Sequence, residues 1–129
     1  MGSKYEDIYV EPDIEILRSR LDKNYLPIGK KILDIGCNHG TQLIRYYNKG
    51  WEVYGIDLNK KAIEDCKKYL PKENFGINTL DDAPFQDGSF DAIQTFHVLE
   101  HIYDPSQFLS QCKNLLKKDG KLEVRIPNG

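Results

Sequence analysis

KILDIGCNHGTQLIRYYNKGWEVYGID, residues 31–57, holds the fold in outline. The apolar run Lys31–Ile35 reads as a strand and runs directly into the bend Gly36-Cys37-Asn38-His39-Gly40. A helical stripe of Leu43, Ile44 and Tyr47 follows, and Gly50 is placed to stop it. A second apolar run, Glu52–Ile56, then ends on Asp57. Strand, glycine bend, helix and strand in this order form a βαβ unit, which folds as a right-handed crossover between parallel strands.

The same alternation continues outward. Upstream, a helix is expected from about Pro12, with Ile14, Leu17 and Leu21 on one face, ending before Pro27, and residues 1–10 read as a tail. Downstream, Asn59 can cap a helix whose stripe is Ala62, Ile63, Cys66, Tyr69 and Leu70, closed by Pro71. Phe75–Ile77 is a short third strand, 80–89 a polar loop and Phe90–Phe96 a fourth strand. Asp104-Pro105-Ser106-Gln107 combines an N-cap, a proline in the first turn and a candidate reciprocal cap, ahead of a helix carrying Phe108, Leu109, Cys112, Leu115 and Leu116. Lys118-Asp119-Gly120 is expected to end that helix, and Lys121–Ile126 to form a fifth strand. Its strict alternation of apolar and charged residues suits an exposed edge rather than a strand buried on both faces.

A length of 129 residues fits a single domain, 1–129. With 29% charged and 40% hydrophobic residues the chain is of ordinary globular composition. A net charge of −2 gives no bulk attraction to nucleic acid or anionic lipid. No stretch is apolar enough for a signal peptide or membrane span, so a cytoplasmic location is expected. Cys37, Cys66 and Cys112 are odd in number and lack CxxC spacing, which argues for reduced thiols over a disulfide framework or zinc cluster. Tyr5, Tyr9, Tyr46 and Tyr47 read as packing elements, with ligand contact the alternative.

In an open parallel sheet, ligands bind beyond the carboxyl ends of the strands, where the winding reverses. The Gly36–Gly40 bend lets backbone approach a ligand, and Asp57 at the end of the second strand can accept hydrogen bonds from both hydroxyls of a ribose. A plain tight turn and a solvated strand end are the structural alternatives. Together the elements point to a nucleoside site. A dinucleotide fingerprint would be GxGxxG, whereas this bend is GxNxG.

The segment ILDIGCNHG, 32–40, resembles the first motif of class I S-adenosylmethionine-dependent methyltransferases, usually DxGxGxG, with Asn38 in place of the middle glycine. Asn is the non-glycine residue that best tolerates positive φ. Further stretches resemble the family in order: YGIDLN at 54–59, APFQDGSFDAI at 83–93, FHVLEHIYDP at 96–105 and LLKKDGKLEVRIPN at 115–128. The resemblance is nearest to the small-molecule methyltransferases that carry a VLEH segment after strand 4. It implies a Rossmann-like three-layer α/β sandwich with a mostly parallel sheet of order 3-2-1-4-5, here truncated after strand 5.

The resemblance also implies roles. Asp34 would organise the methionine ammonium of the cofactor, the bend Gly36, Cys37 to Gly40 would pack against its methionine and ribose portions, and Asp57 would hold the ribose hydroxyls. Leu58 would lie against the adenine. At the third-strand loop, where the family places an acid toward the adenine amino group, this chain has Thr79 and Leu80, with Asp81 next to them. Phe96 and His97 would line the meeting point of methyl group and acceptor, and His97 or His101 could take a proton from a hydroxyl acceptor. The expected product is S-adenosylhomocysteine, and the expected acceptor a small molecule.

Two alternatives to a methyltransferase stay open. The domain can be a binding module for S-adenosylmethionine or S-adenosylhomocysteine without catalysis, or a nicotinamide-dependent oxidoreductase fragment. His97-Val98-Leu99-Glu100-His101 also matches the HxxEH pattern of inverted zinc peptidases, but it follows a strand and lacks an obvious third ligand, so no metal site is expected. A homodimer or a partner chain can cover the strand 5 edge.

Overall fold

The computed structural model describes residues 9–96, 98 and 101–125. Helix α1 spans Ile14–Ser19, strand β1 Lys31–Ile35, and a 3-10 turn Thr41–Leu43 leads into α2, Ile44–Tyr47. Then come β2, Glu52–Ile56, α3, Lys60–Cys66, a 3-10 turn Lys72–Asn74, and β3, Phe75–Gly76. Strand β4 is Phe90–Phe96, helix α4 Pro105–Leu115, and β5 Leu116–Arg125. The sheet order is β3-β2-β1-β4-β5 with every pair parallel, as in a Rossmann-like α/β fold.

Strand β1 is buried from Ile32 to Ile35 because successive side chains feed two cores. Ile32 joins Val53, Leu17, Leu43, Ile63 and Leu70 on the side of α1, α2 and α3. Leu33 and Ile35 join Ile56, Ile93, Phe108, Cys112 and Leu115 on the side of α4. Helices therefore cover both faces of the sheet, which makes the three layers. The expected caps are present: the side chain of Asn59 accepts the Ala62 N–H and that of Asp104 accepts the Gln107 N–H.

Four boundaries differ from the sequence reading. Helix α3 ends at Cys66, and Tyr69 and Leu70 of its expected stripe reach the core from the turn before Pro71. Helix α1 stops at Ser19 instead of continuing toward Pro27, because the Asn48 side chain donates to Arg20 O and accepts the Asp22 N–H, taking over groups a longer helix would use. Helix α4 ends at Leu115, not at Lys118–Gly120. Leu116 is already extended and pairs with Phe90, where its side chain packs against the α4-side core, and the register resumes only at Ala92 and Lys121. Strand β3 is Phe75–Gly76 and excludes Ile77, which is half exposed. No β5 residue is fully buried, in keeping with its edge position, and Ile126 lies outside the described residues. Among the described residues no helix is long and apolar enough to cross a membrane.

Candidate functional site

A cleft of about 1450 Å³ opens beyond the carboxyl ends of the strands. It brings together Asp34, Gly36, Cys37, Asp57, Leu58, Thr79, Leu80, Asp81, Phe96 and His101. His97 lies outside the described residues, as do Leu99 and Glu100 of the HxxEH pattern. Gly40 is placed behind the bend: a Cβ there would come within 2.9 to 3.2 Å of Leu70, the Tyr69 hydroxyl and the Cys66 sulfur. It packs against the end of α3 and the turn that follows it. A second cavity, of about 730 Å³ and bordered by Lys30, Trp51, Asp91 and Lys117, contains none of the expected site residues.

The bend owes its shape to two positive-φ residues on the cleft. Gly36 has φ 75° and Asn38 φ 51°. A Cβ on Gly36 would meet Val98 Cγ2 at 2.3 Å, so only glycine satisfies both the dihedral and the space. Gly36 and Cys37 donate their N–H groups to Ile56 O at 2.8 and 3.1 Å, tying the bend to the end of β2. Underneath, the Cys66 thiol donates to Asn38 O at 3.1 Å and the Tyr69 hydroxyl to His39 O at 2.6 Å. A hydrogen bond with the neighbouring Cys66, and burial after it, push the Cys37 thiol well up.

Two carboxylates flank the bend in contrasting states. Asp57 is half-buried and accepts two backbone N–H groups, Asn38 at 2.8 Å on Oδ2 and Asn59 at 2.9 Å on Oδ1. These bonds fix the direction of the carboxylate while leaving lone pairs toward the cleft. Asp34 is 2% exposed, and its Oδ1 has no hydrogen-bond partner. Burial raises its carboxyl to about 7, with the charge of Asp57 adding to the rise and a hydrogen bond from Gln94 opposing it. A buried oxygen left unpaired at the wall of a cleft is suited to an incoming donor, above all a cationic one.

The third-strand loop is organised by a residue the sequence reading passed over. Asp82 Oδ1 accepts the Thr79 N–H at 2.8 Å, the Thr79 hydroxyl at 3.2 Å and Asn78 Nδ2 at 3.3 Å. Asp81 instead accepts Gln111 Nε2 of α4 at 2.6 Å. A carboxylate three residues after a threonine in a polar loop is a readable turn signal. Sequence reasoning missed Arg125 at the cleft, whose guanidinium lies 4.8 Å from the Phe96 ring centre, and Tyr9, read as a packing element with ligand contact the alternative, borders the cleft as well. Among the described residues no group of three or more His, Cys, Asp and Glu side chains is placed to hold a metal ion.

A parallel sheet of this order, with a glycine bend after β1 and an acid closing β2, defines a nucleoside-binding α/β domain. The chain belongs to the methyltransferase domain family, which matches residues 33–124. It is 31% identical over 120 residues to the ubiquinone biosynthesis O-methyltransferase of Xanthomonas axonopodis pv. citri, covering 89% of this chain and 48% of that protein. Among solved structures it is similar to the geranyl diphosphate C-methyltransferase of Streptomyces coelicolor, solved with Mg2+, geranyl diphosphate and S-adenosyl-L-homocysteine, at TM-score 0.68 and 18% identity over 86% of this chain and 43% of that one. It is also similar to a plantazolicin methyltransferase solved with a pentazolic desmethyl analogue and S-adenosylhomocysteine, at TM-score 0.64 and 26% identity over 74% of this chain and 38% of that one. The chain spans between about a third and a half of the length of the first curated relatives it matches.

Proposed function

We propose that the cleft binds S-adenosylmethionine and that the protein transfers its methyl group to a small-molecule acceptor. The observation that carries this reading is the pair of carboxylates flanking the bend: Asp57 held toward the cleft by two amides, and Asp34 buried with an unpaired oxygen. A ribose diol suits the first and an ammonium the second. Asp57 would hold the sugar, Asp34 the methionine ammonium, and the backbone of Gly36 to Asn38 the portion between them. Leu58 would cover the adenine on one side, with Thr79, Leu80 and Asp81 bordering its edge. When bound, the sulfonium supplies an already activated methyl group, so the protein's contribution is alignment and exclusion of water.

An oxygen acceptor is our reading of the chemistry, supported by the O-methyltransferase relative at 31% identity. His101, on the acceptor side of the cleft with Phe96, and His97 are then the candidate bases for the acceptor hydroxyl. A cytoplasmic setting is part of the proposal, supported by three free cysteines. A second copy or another chain along the β5 edge is proposed from the unpaired ladder groups an edge strand presents.

Thermal melts with S-adenosylhomocysteine and, separately, NAD+ test the ligand class. A melting temperature raised by S-adenosylhomocysteine and unchanged by NAD+ is expected, since only a ligand of the folded state stabilises it. A rise with NAD+ alone would give the site to a dinucleotide. Binding of S-adenosylhomocysteine without methyl transfer to any acceptor in a hydroxylated small-molecule panel would define a binding module instead.

A further inference from the structure

Asp65 is a buried carboxylate outside the proposed cofactor contacts. It is 3% exposed, it does not line the cleft, and three side chains converge on it. The Tyr9 hydroxyl donates to Oδ2, Lys68 Nζ donates to Oδ1 at 3.3 Å, and His39 Nδ1 lies 3.4 Å from Oδ2 without hydrogen-bond geometry. His39 belongs to the bend itself. Burial lowers its imidazole below the usual value, while a hydrogen bond with the Val10 backbone pulls the other way. Tyr9 and Val10, which composition alone assigns to a tail, are thus fastened to the bend and to α3 together.

Fastening places Tyr9 at the cleft. Its ring packs edge-on against His39, with centroids 5.3 Å apart, and Lys61 Nζ lies 5.6 Å from its centre. Tyr9 borders the same cavity as Asn38, Asp57 and Lys61, at the sugar end. A carboxylate shut away from water is held in a folded protein only with partners, and removing one leaves the others unpaired. The arrangement of Asp65 is therefore specific to the position of Tyr9 and not a general surface contact.

We propose that Tyr9 is a cofactor-contacting residue, held over the sugar end of the cleft by Asp65 and His39, and that Asp65 is a positioning residue for nucleoside binding. The inference rests on the reading of the cleft as a site for S-adenosylmethionine. It assigns the N-terminal segment a share of the site, beyond the strand ends.

Calorimetric titration with S-adenosylhomocysteine, on wild type, Tyr9→Ala, Tyr9→Phe, Asp65→Asn and the Tyr9→Phe/Asp65→Asn pair, tests it. Tyr9→Ala is expected to weaken binding at least tenfold, and each of the milder variants about threefold, with the pair no weaker than either alone because both remove the same link. The ligand-free melting temperature of the Tyr9 variants should fall by a few degrees, since the buried Asp65 loses a donor, so affinities are compared at a temperature well below the transition of every variant. If Asp65→Asn does not fold, the two Tyr9 variants decide the matter. Wild-type affinity in Tyr9→Ala overturns the inference and leaves the cofactor assignment standing, and losses that add in the pair overturn the positioning role. A wild type that does not bind overturns the cofactor assignment and this inference with it.

Discussion

Asp57 at the end of β2 accepts the backbone N–H of Asn38, at 2.8 Å, and so ties the second strand to the centre of the bend that follows the first. The same carboxylate accepts Asn59 N–H at 2.9 Å, and Asn59 in turn caps α3. One side chain thereby sets the bend, the start of α3 and the acceptor atoms facing the cleft. Asp57→Asn keeps the shape but offers one oxygen for two N–H donors. It should destabilise the ligand-free protein by about 1–2 kcal/mol, measured by urea unfolding, through the amide left without an acceptor.

Asp34 predicts a pH dependence of binding. Its carboxyl sits near 7 in the ligand-free protein because it is buried, while an ammonium ligand requires the carboxylate. Affinity for S-adenosylhomocysteine should therefore fall about tenfold from pH 8 to pH 6, the proton being lost before the ligand binds well. Asp34→Asn should remove that slope along with most of the affinity.

The same group predicts a stability effect of opposite sense. Its folded value is raised above the ordinary 3.8, so its favourable contribution is complete below about pH 4 and is lost as pH rises through 7. At pH 7.5 the ligand-free Asp34→Asn protein should be more stable than wild type, by on the order of a few kcal/mol. Differential scanning calorimetry across pH 4 to 8 checks it, and the variant should show a shallower decline over that range.

The bend separates backbone need from side-chain need. Gly36→Ala must hold a Cβ at φ 75° and 2.3 Å from Val98 Cγ2, and a loss of about 1–3 kcal/mol is expected. Asn38→Gly keeps the N–H that Asp57 accepts and should lie within about 0.5 kcal/mol of wild type, while Asn38→Val at φ 51° should cost about 1–2 kcal/mol. Chemical denaturation of the three variants ranks them.

The elements that repeat a local pattern are readable in the amino-acid sequence. Ile32 to Ile56 follows strand and helix periods closely, and Asn59 and Asp104 carry their caps in the residues next to them. What escaped depends on partners distant in the chain. Helix α1 is cut short by Asn48, 26 to 28 residues away, and α4 ends early because Leu116 finds Phe90. The site divides in the same way. Asp34, Gly36 and Asp57 stand in a fixed local order, whereas Tyr9 reaches the cleft through a carboxylate 56 residues further on, and Gly40 proved to pack against α3. Local periodicity carries no information on such pairings.

The most direct measurement is calorimetric titration of wild type and Asp57→Ala with S-adenosylhomocysteine at pH 7.5. Micromolar binding by the wild type, weakened at least a hundredfold in Asp57→Ala, is the expected result. No measurable binding by a folded wild type, or equal affinity in the two proteins, would contradict the assignment of this carboxylate to the sugar of a sulfonium nucleoside.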